Sequence, residues 1–213
     1  MDYQRILTRV TSLPQLTLIT QSSRLKTTEA FFSCLQQALE GGVKQVLLRE
    51  KDMDSARLLA FASRVRSMTD DYQAKLMIHS QADIAQAIGA DGVHLSSMNM
   101  DEIPAIRQWF HSSDMLISTA CHNLAELKIA EHWGANFVFL SPVFHTQTHP
   151  DTKPLDVENF EQLAASTSLP VIALGGIDEN NREQLAGYPV AVIGALLDAD
   201  KPKLIAQHLS RCP

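Results

Sequence analysis

Residues 139–150 read FLSPVFHTQTHP, which sets His145, Thr146, Thr148 and His149 between Pro142 and Pro150, directly after an apolar run. A chain reversal needs turn formers, not this density of hydroxyls and imidazoles. Hydroxyls donate to anions and imidazoles move protons near neutral pH, so the stretch is a candidate anion or proton-transfer site. Elsewhere LREK places Arg49 and Lys51 two residues apart, a spacing that sends both side chains to one side of an extended segment. Two cations there suit an anionic substrate, with arginine able to grip a phosphate through two N–H groups. Solvated charges paired with Glu50 or Asp52 are the plain alternative. Gly175 and Gly176 in LGGI, and Ile193–Gly194 in VIGALL, allow backbone N–H groups to approach an anion; a tight turn is the competing reading. His122 follows STAC and serves equally as a proton-transfer group or as a packing residue beside an Asn123 helix cap.

These groups are scattered through the chain, so the elements that carry them decide whether they meet. Short apolar runs alternate with longer amphipathic ones: LTLIT (16–20), QVLLR (45–49), KLMIH (75–79), DGVHL (91–95), MLIST (115–119), FVFLS (137–141), LPVIAL (169–174) and VAVIG (190–194). Helix-like stretches such as TTEAFFSCLQQALEGG, DSARLLAFASRVRSM, DEIPAIRQWF, NLAELKIAEHWG and DVENFEQLAAST lie between them, several opening on Thr, Asp or Asn caps. Nearly continuous apolar strands are buried on both faces, which is the pattern of a parallel sheet covered by helices. The count predicts eight strand–helix units, hence an α/β fold of the (β/α)8 TIM-barrel type. A doubly wound open sheet is the alternative, but no G-x-G-x-x-G follows the first strand. In such a barrel the active site lies at the C-terminal strand ends, so Arg49, Lys51, His79, Ser80, Asn99, His122, Thr146 and the two glycine loops are expected to converge on one mouth. Phosphate sites often form after the last two strands, which favours an anion cup at Gly175, Gly176, Ile193 and Gly194.

The chain of 213 residues is expected to form a single barrel domain over 1–213, with residues 1–15 as a short N-terminal extension. A net charge of −6 argues against nucleic-acid binding. No apolar run approaches the ~20 residues needed to cross a bilayer, and the N-terminus lacks a signal-peptide pattern. Cys34, Cys121 and Cys212 lack metal-type spacing, so reduced thiols in a cytoplasmic protein are expected. His79, His94 and His149 have no helical i, i+4 spacing and no accompanying cysteine, so no zinc site is expected; His94, inside a strand, should be a buried, hydrogen-bonded residue.

The succession LLREKDMD, IGADGVHLSS, GANFVFLSPVFHTQTHP, PVIALGGIDENN and VAVIGALL, in that order from Leu16 to Leu197, resembles the thiamine phosphate synthase and thiazole tautomerase superfamily of (β/α)8 barrels. The T-x-T-H-P loop is also similar to synthase-like domains fused behind Nudix hydrolases, though an extension of about fifteen residues leaves no room for that domain here. The resemblance implies a synthase site in which Gln-x-Arg-x-Lys, Asn-Asp, a further Asp and Thr-x-Thr-Lys hold a pyrimidine diphosphate and magnesium. Arg49, Lys51, Thr146 and Thr148 match that pattern. Leu47 replaces the Gln, His79–Ser80 the Asn-Asp, Asn99 the further Asp, Ala120 a Ser and His149 the Lys. Magnesium prefers anionic oxygens, and each lost partner of a leaving diphosphate costs about 2–4 kcal/mol in the transition state; Lys153 could replace a charge but not a metal. No cofactor is therefore expected, with magnesium only if synthase activity is retained. Gly175, Gly176, Ile193 and Gly194 match the phosphate cup, and tautomerase members carry a histidine at the place of His122.

The expected function is a thiamine-metabolism enzyme that binds thiazole phosphate and moves a proton with His122. The alternatives are a divergent synthase joining hydroxymethylpyrimidine diphosphate to thiazole phosphate, and a non-catalytic binder of thiazole or thiamine phosphates. Expected partners are small phosphorylated thiazole or pyrimidine ligands, with no nucleic acid and no membrane. Superfamily barrels are frequently dimeric, so a homodimer is a further expectation.

Overall fold

A computed structural model describes residues 13–110, 114–146 and 153–211. Eight parallel strands close into a barrel in sequence order: β1 Leu16–Ile19, β2 Gln45–Leu48, β3 Lys75–His79, β4 Gly92–Leu95, β5 Leu116–Cys121, β6 Phe137–Leu140, β7 Val171–Leu174 and β8 Val190–Val192. The ring is sealed where Leu16 of β1 pairs with Val190 of β8, as the eight apolar runs predict. Outside it lie α1 Thr28–Glu40, α2 Ser55–Asp71, α3 Ala82–Ala87, α4 Ile103–Trp109, α5 Leu124–Trp133, α6 Val157–Ala165, α7 Gly194–Leu197 and α8 Pro202–Arg211. Thr27, Asp54, Asn123 and Asp156 accept from backbone N–H groups three residues on, capping α1, α2, α5 and α6.

One unit departs from the expected strand–helix repeat. Between β7 and β8 there is only a 3-10 turn, Arg182–Leu185. The strand limits also shift: β2 stops at Leu48, leaving Arg49 and Lys51 in the following loop, and β5 runs on to Cys121, so His122 emerges directly from its end. Gly194 starts α7 and does not end β8.

Two apolar layers hold the fold. Between strands and helices lies a core that includes Phe31, Leu35, Leu58, Val65 and Phe160, all at most 3% exposed. Inside the barrel Ile19, Leu47, Met77, Phe137, Phe139, Ile172 and Ala191 pack together. Strand side chains alternate with period two, so each inward column continues upward: Leu47 leads to Arg49, Met77 to His79, Phe139 to Ser141, Ala191 to Ile193. Gly92 belongs to this packing because a Cβ there would stand 2.7 Å from the Met77 sulfur and 2.3 Å from the Leu116 carbonyl oxygen. Cys34 and Cys121 are buried free thiols, both pushed up by burial, Cys34 to about 11 and Cys121 to about 12; Cys212 lies outside the described residues. No described helix is long and apolar enough to cross a membrane.

Arg182 replaces the missing seventh helix as a fastener. Its guanidinium is fully buried and donates to the carbonyls of Leu185 (2.8 Å), Tyr188 (3.1 Å) and Leu209 (3.1 Å). It thereby ties the 3-10 turn, the entry to β8 and the last turn of α8 into one joint. Arg182→Met keeps most of the volume but removes the three donated bonds, with Leu185 O alone of the three carbonyls keeping a further backbone donor among the described residues, Tyr188 N–H. It should lower unfolding free energy by about 2–4 kcal/mol, measurable by urea denaturation; an unchanged midpoint would show that water satisfies the joint.

Candidate functional site

The mouth at the C-terminal strand ends divides into two groups of residues. The first is the cup. Thr146, Gly175, Gly176, Ile193 and Gly194 line one cavity of about 330 Å³, so five of the expected site residues do meet. The segment after β6 lies directly on the segment after β7: Val143 N–H donates to Leu174 O (2.9 Å) and Phe144 N–H to Gly175 O (3.0 Å). That contact is possible only with glycine. Gly176 has φ +66°, and a Cβ on it would stand 2.2 Å from the His145 carbonyl oxygen. Gly175 has φ +106° and meets Pro142 in the same way, at 2.6 Å. Asn181 braces the loop by donating to Gly176 O at 2.8 Å. Thr148 and His149 lie outside the described residues; Lys153 is exposed.

Two cup residues went unnoticed in the sequence: Arg24, from the 3-10 turn Ser22–Arg24 after β1, and Asp198, just past α7. Arg24 Nε donates to Asp198 Oδ1 at 2.9 Å, Nη2 pairs with Oδ2, and Nη1 reaches Gln21 Oε1 at 3.4 Å. Their separation of 174 positions leaves no local signal.

The second group contains Arg49, Lys51, His79 and His94. Arg49 is half-buried and its N–H donates to Thr20 Oγ1 (3.0 Å), whereas Lys51 is exposed in a turn. They are not the matched pair that a strand end would give, because β2 has already ended. Burial lowers the proton affinity of Arg49, with Glu50 opposing. Glu50 itself does not salt-bridge the cations; its carboxylate accepts from Ser22 Oγ (2.7 Å) and Ser22 N–H (3.0 Å). His94 is buried, as expected, with Nδ1 2.9 Å from Ser118 Oγ and its ring edge-on to Phe139. Burial, then His79 and Arg49, lower it to about 3. The His79 ring lies 5.9 Å from that of His94, and burial, then Arg49 and Lys51, bring it down to about 4.

Ser80 and Asn99, which the resemblance sets at the family's metal carboxylates, have other partners. Ser80, at φ +61°, sets its hydroxyl 3.0 Å from His79 Nδ1. The Asn99 oxygen accepts from Ser96 Oγ and its amide donates to Glu102, both at 2.6 Å. Among the described residues no three His, Cys, Asp or Glu side chains stand close enough to share a metal ion.

His122 follows β5, between the two groups in strand order; it is exposed and does not line the cup cavity. Asn123 caps α5 by accepting from Glu126 N–H at 3.0 Å, which leaves the imidazole free of that duty. Its Nδ1 lies 2.8 Å from the Ser141 carbonyl oxygen. A carbonyl only accepts, so Nδ1 carries the hydrogen and Nε2 keeps the lone pair of the neutral ring. Glu126 Oε2 accepts from the His122 N–H at 2.7 Å and steadies the same turn.

Comparison with known proteins gives a consistent picture. The sequence model of a family described as thiamine monophosphate synthase matches residues 16–196. A relative from Aquifex aeolicus, provisionally named thiamine-phosphate synthase 2, is 38% identical over 165 residues, 78% of this chain and 86% of the relative. The thiamine-phosphate synthase of Clostridium acetobutylicum is 32% identical over 192 residues, covering 89% and 90% of the two chains. Among solved structures, thiamine phosphate pyrophosphorylase from Pyrococcus furiosus superposes with a TM-score of 0.81 at 27% identity, over 92% of this chain and 93% of that one.

His79 and His94 yield a pH signature. Their folded values, about 4 and about 3, lie below the ordinary 6.5. The unfolded chain therefore binds more protons between pH 6.5 and 4, so these residues add stability above pH 6.5 that is lost as the pH falls through that window. Imidazole NMR should show both rings neutral at pH 5.5, and the double variant His79→Asn/His94→Asn should flatten the pH dependence of unfolding there. Half-titration of either ring near pH 6.5 would contradict this.

Proposed function

The chain belongs to the thiamine monophosphate synthase family, which places it in thiamine biosynthesis, and from that premise we propose that it binds a thiazole phosphate and transfers a proton with His122. The observation that carries the reading is a contrast within one mouth. Gly175 and Gly176 of the cup take the positive φ that lets backbone N–H groups approach an anion, while Ser80 and Asn99, set by the resemblance at the family's metal positions, are neutral. Magnesium is usually held through one or two protein carboxylates. The Asn99 oxygen is already taken by Ser96, and Ser80 by His79, so the residues present do not fit the ion.

Thr146 and the backbone at Gly175, Gly176, Ile193 and Gly194 would hold the phosphate. Arg49 and Lys51 would favour a second anionic group, such as a ring carboxylate. His122 supplies the chemistry. With Nδ1 tied to Ser141 O, Nε2 is the basic atom. It would take a proton from one ring position, and the imidazolium would return it to another. One C–H bond breaks, one forms, the conjugated system shifts, and no co-reactant is consumed.

Family membership favours a second reading, a synthase that joins hydroxymethylpyrimidine diphosphate to thiazole phosphate. Arg49, Lys51 and Thr146 support it, but neutral residues at the metal positions count against it. A third, a binder without turnover, shares the cup and differs only in whether His122 reaches the ligand.

Turnover of a thiazole carboxylate phosphate tautomer decides among them. The parent should isomerise it without added metal, and His122→Ala should lower kcat about 10²–10⁴-fold while leaving KM near the parent value. Unchanged turnover in His122→Ala would remove the proposed mechanism. Magnesium-dependent formation of thiamine phosphate would establish the synthase, and tight calorimetric binding with no turnover the binder.

A further inference from the structure

The charges around the cup do not obviously suit a phosphate. Asp178 and Asp198 both line it, and Arg24 is the only lysine or arginine that does so among the described residues. Beyond Asp198 lies a second cavity of about 450 Å³, which Asp178, Glu179, Asp198 and Asp200 border with one cation, Lys201. An anion approaching from that side meets net negative charge. Backbone dipoles alone would have to overcome two carboxylates at the cup.

Arg24 alters that balance. Its guanidinium faces the first turn of α7: a Cβ on Gly194 would stand 3.1 Å from Nη2 and 2.8 Å from Asp198 Oδ2. Any larger residue at 194 would push into the ion pair, so the glycine, the arginine and the aspartate form one packed unit at the cup wall. The guanidinium is one-quarter exposed and the carboxylate about half, so both are open to a ligand. The Nε and Nη2 groups point to Asp198, and Nη1 has only the long contact to Gln21 Oε1, 3.4 Å. An arginine carries five N–H donors in a fixed plane, and its outer edge remains available to a phosphate oxygen.

We infer that Arg24 is the anion-binding side chain of the cup and that Asp198 is its positioning residue, so that this pair sets the cup's selectivity for phosphate. Asp198 fixes the plane of the guanidinium against Gly194, and Arg24 in turn masks a carboxylate that would otherwise repel the ligand. The inference rests on the phosphate-cup reading of the proposed function and adds to it a residue from the β1 side of the mouth. It also makes a distinctive demand. The charge of Asp198 should matter little while Arg24 is present and a great deal once Arg24 is gone.

The test is a double-mutant cycle with inorganic phosphate as the probe, followed by calorimetry and phosphorus NMR at low ionic strength. Arg24→Gln should weaken phosphate binding about tenfold or more, with an unfolding midpoint close to the parent's. Asp198→Asn, which keeps an oxygen for Arg24 to donate to, should tighten binding about threefold. In the Arg24→Gln background the same change should recover about tenfold. Added salt should shrink every difference. Phosphate binding by the parent with Arg24→Gln unaffected would overturn this inference and leave the cup standing. Equal effects of Asp198→Asn in both backgrounds would overturn it too. Absence of binding by the parent, to phosphate and to thiazole phosphate alike, would remove the cup reading itself and this inference with it.

Discussion

Closure of the parallel sheet is the constraint on which the rest of the molecule depends. With β1 paired to β8, no strand edge is left open, and every strand must point the same way around the axis. Period-two alternation then puts one side-chain column of each strand inside. The interior is filled by Leu47, Met77, Phe137, Phe139 and Ile172, so it is packed and cannot admit a ligand. Chemistry is confined to the rim, where those same columns emerge from the apolar plug as Arg49, His79, Ser141 and Ile193. The plug also supplies a low-dielectric floor, and burial is the leading cause of the depressed His79 and His94 values.

The rim is electrostatically uneven, and the two parts are built by different means. On the β2–β4 side Arg49, Lys51, His79 and His94 collect, and the Glu50 carboxylate there is occupied by Ser22. Neutral histidines let Arg49 and Lys51 sit close by without a third and fourth positive charge. On the β6–β8 side the work falls to backbone. There the segment after β6 rests on Gly175 and Gly176, and a single added Cβ would collide with it.

Much of the scaffold was legible in the sequence because its signals are local. Apolar runs marked all eight strands, Thr27, Asp54, Asn123 and Asp156 announced their helices, and His94 could be placed inside from its position within a strand. The Gly-Gly and Ile-Gly pairs were legible for the same reason, since positive φ or close approach requires glycine at the position itself. Long-range pairing was not legible. Arg24 and Asp198 are joined only because closure brings the loop after β1 beside the end of α7. Arg182 carries no local sign of burial in DENNREQL, yet it is wholly buried among carbonyls. The absent helix between β7 and β8 was missed because counting strands fixes the number of crossovers without fixing what each contains. Arg49 and Lys51 were read as a matched pair, but β2 would have to run three residues further, to Lys51, for that.

The substitutions at the rim form a coherent set when taken together. Neutral Ser80 and Asn99 bring no negative charge of their own to the β3 and β4 ends. If nothing else changed, Arg49 and Lys51 would be left to repel each other and any further cation. Ser80 instead engages His79, Asn99 engages Ser96 and Glu102, and His79 stays neutral beside the two cations. These side chains thus satisfy one another at the β3 and β4 ends. On the opposite side the cup geometry is kept, and between them His122 is held in the one tautomer that leaves Nε2 basic. A site that needed a metal to carry away a diphosphate would gain nothing from these adjustments. On the proposed reading, in which an anion is held at each end of a small ring and a proton moves in between, all of them have a use.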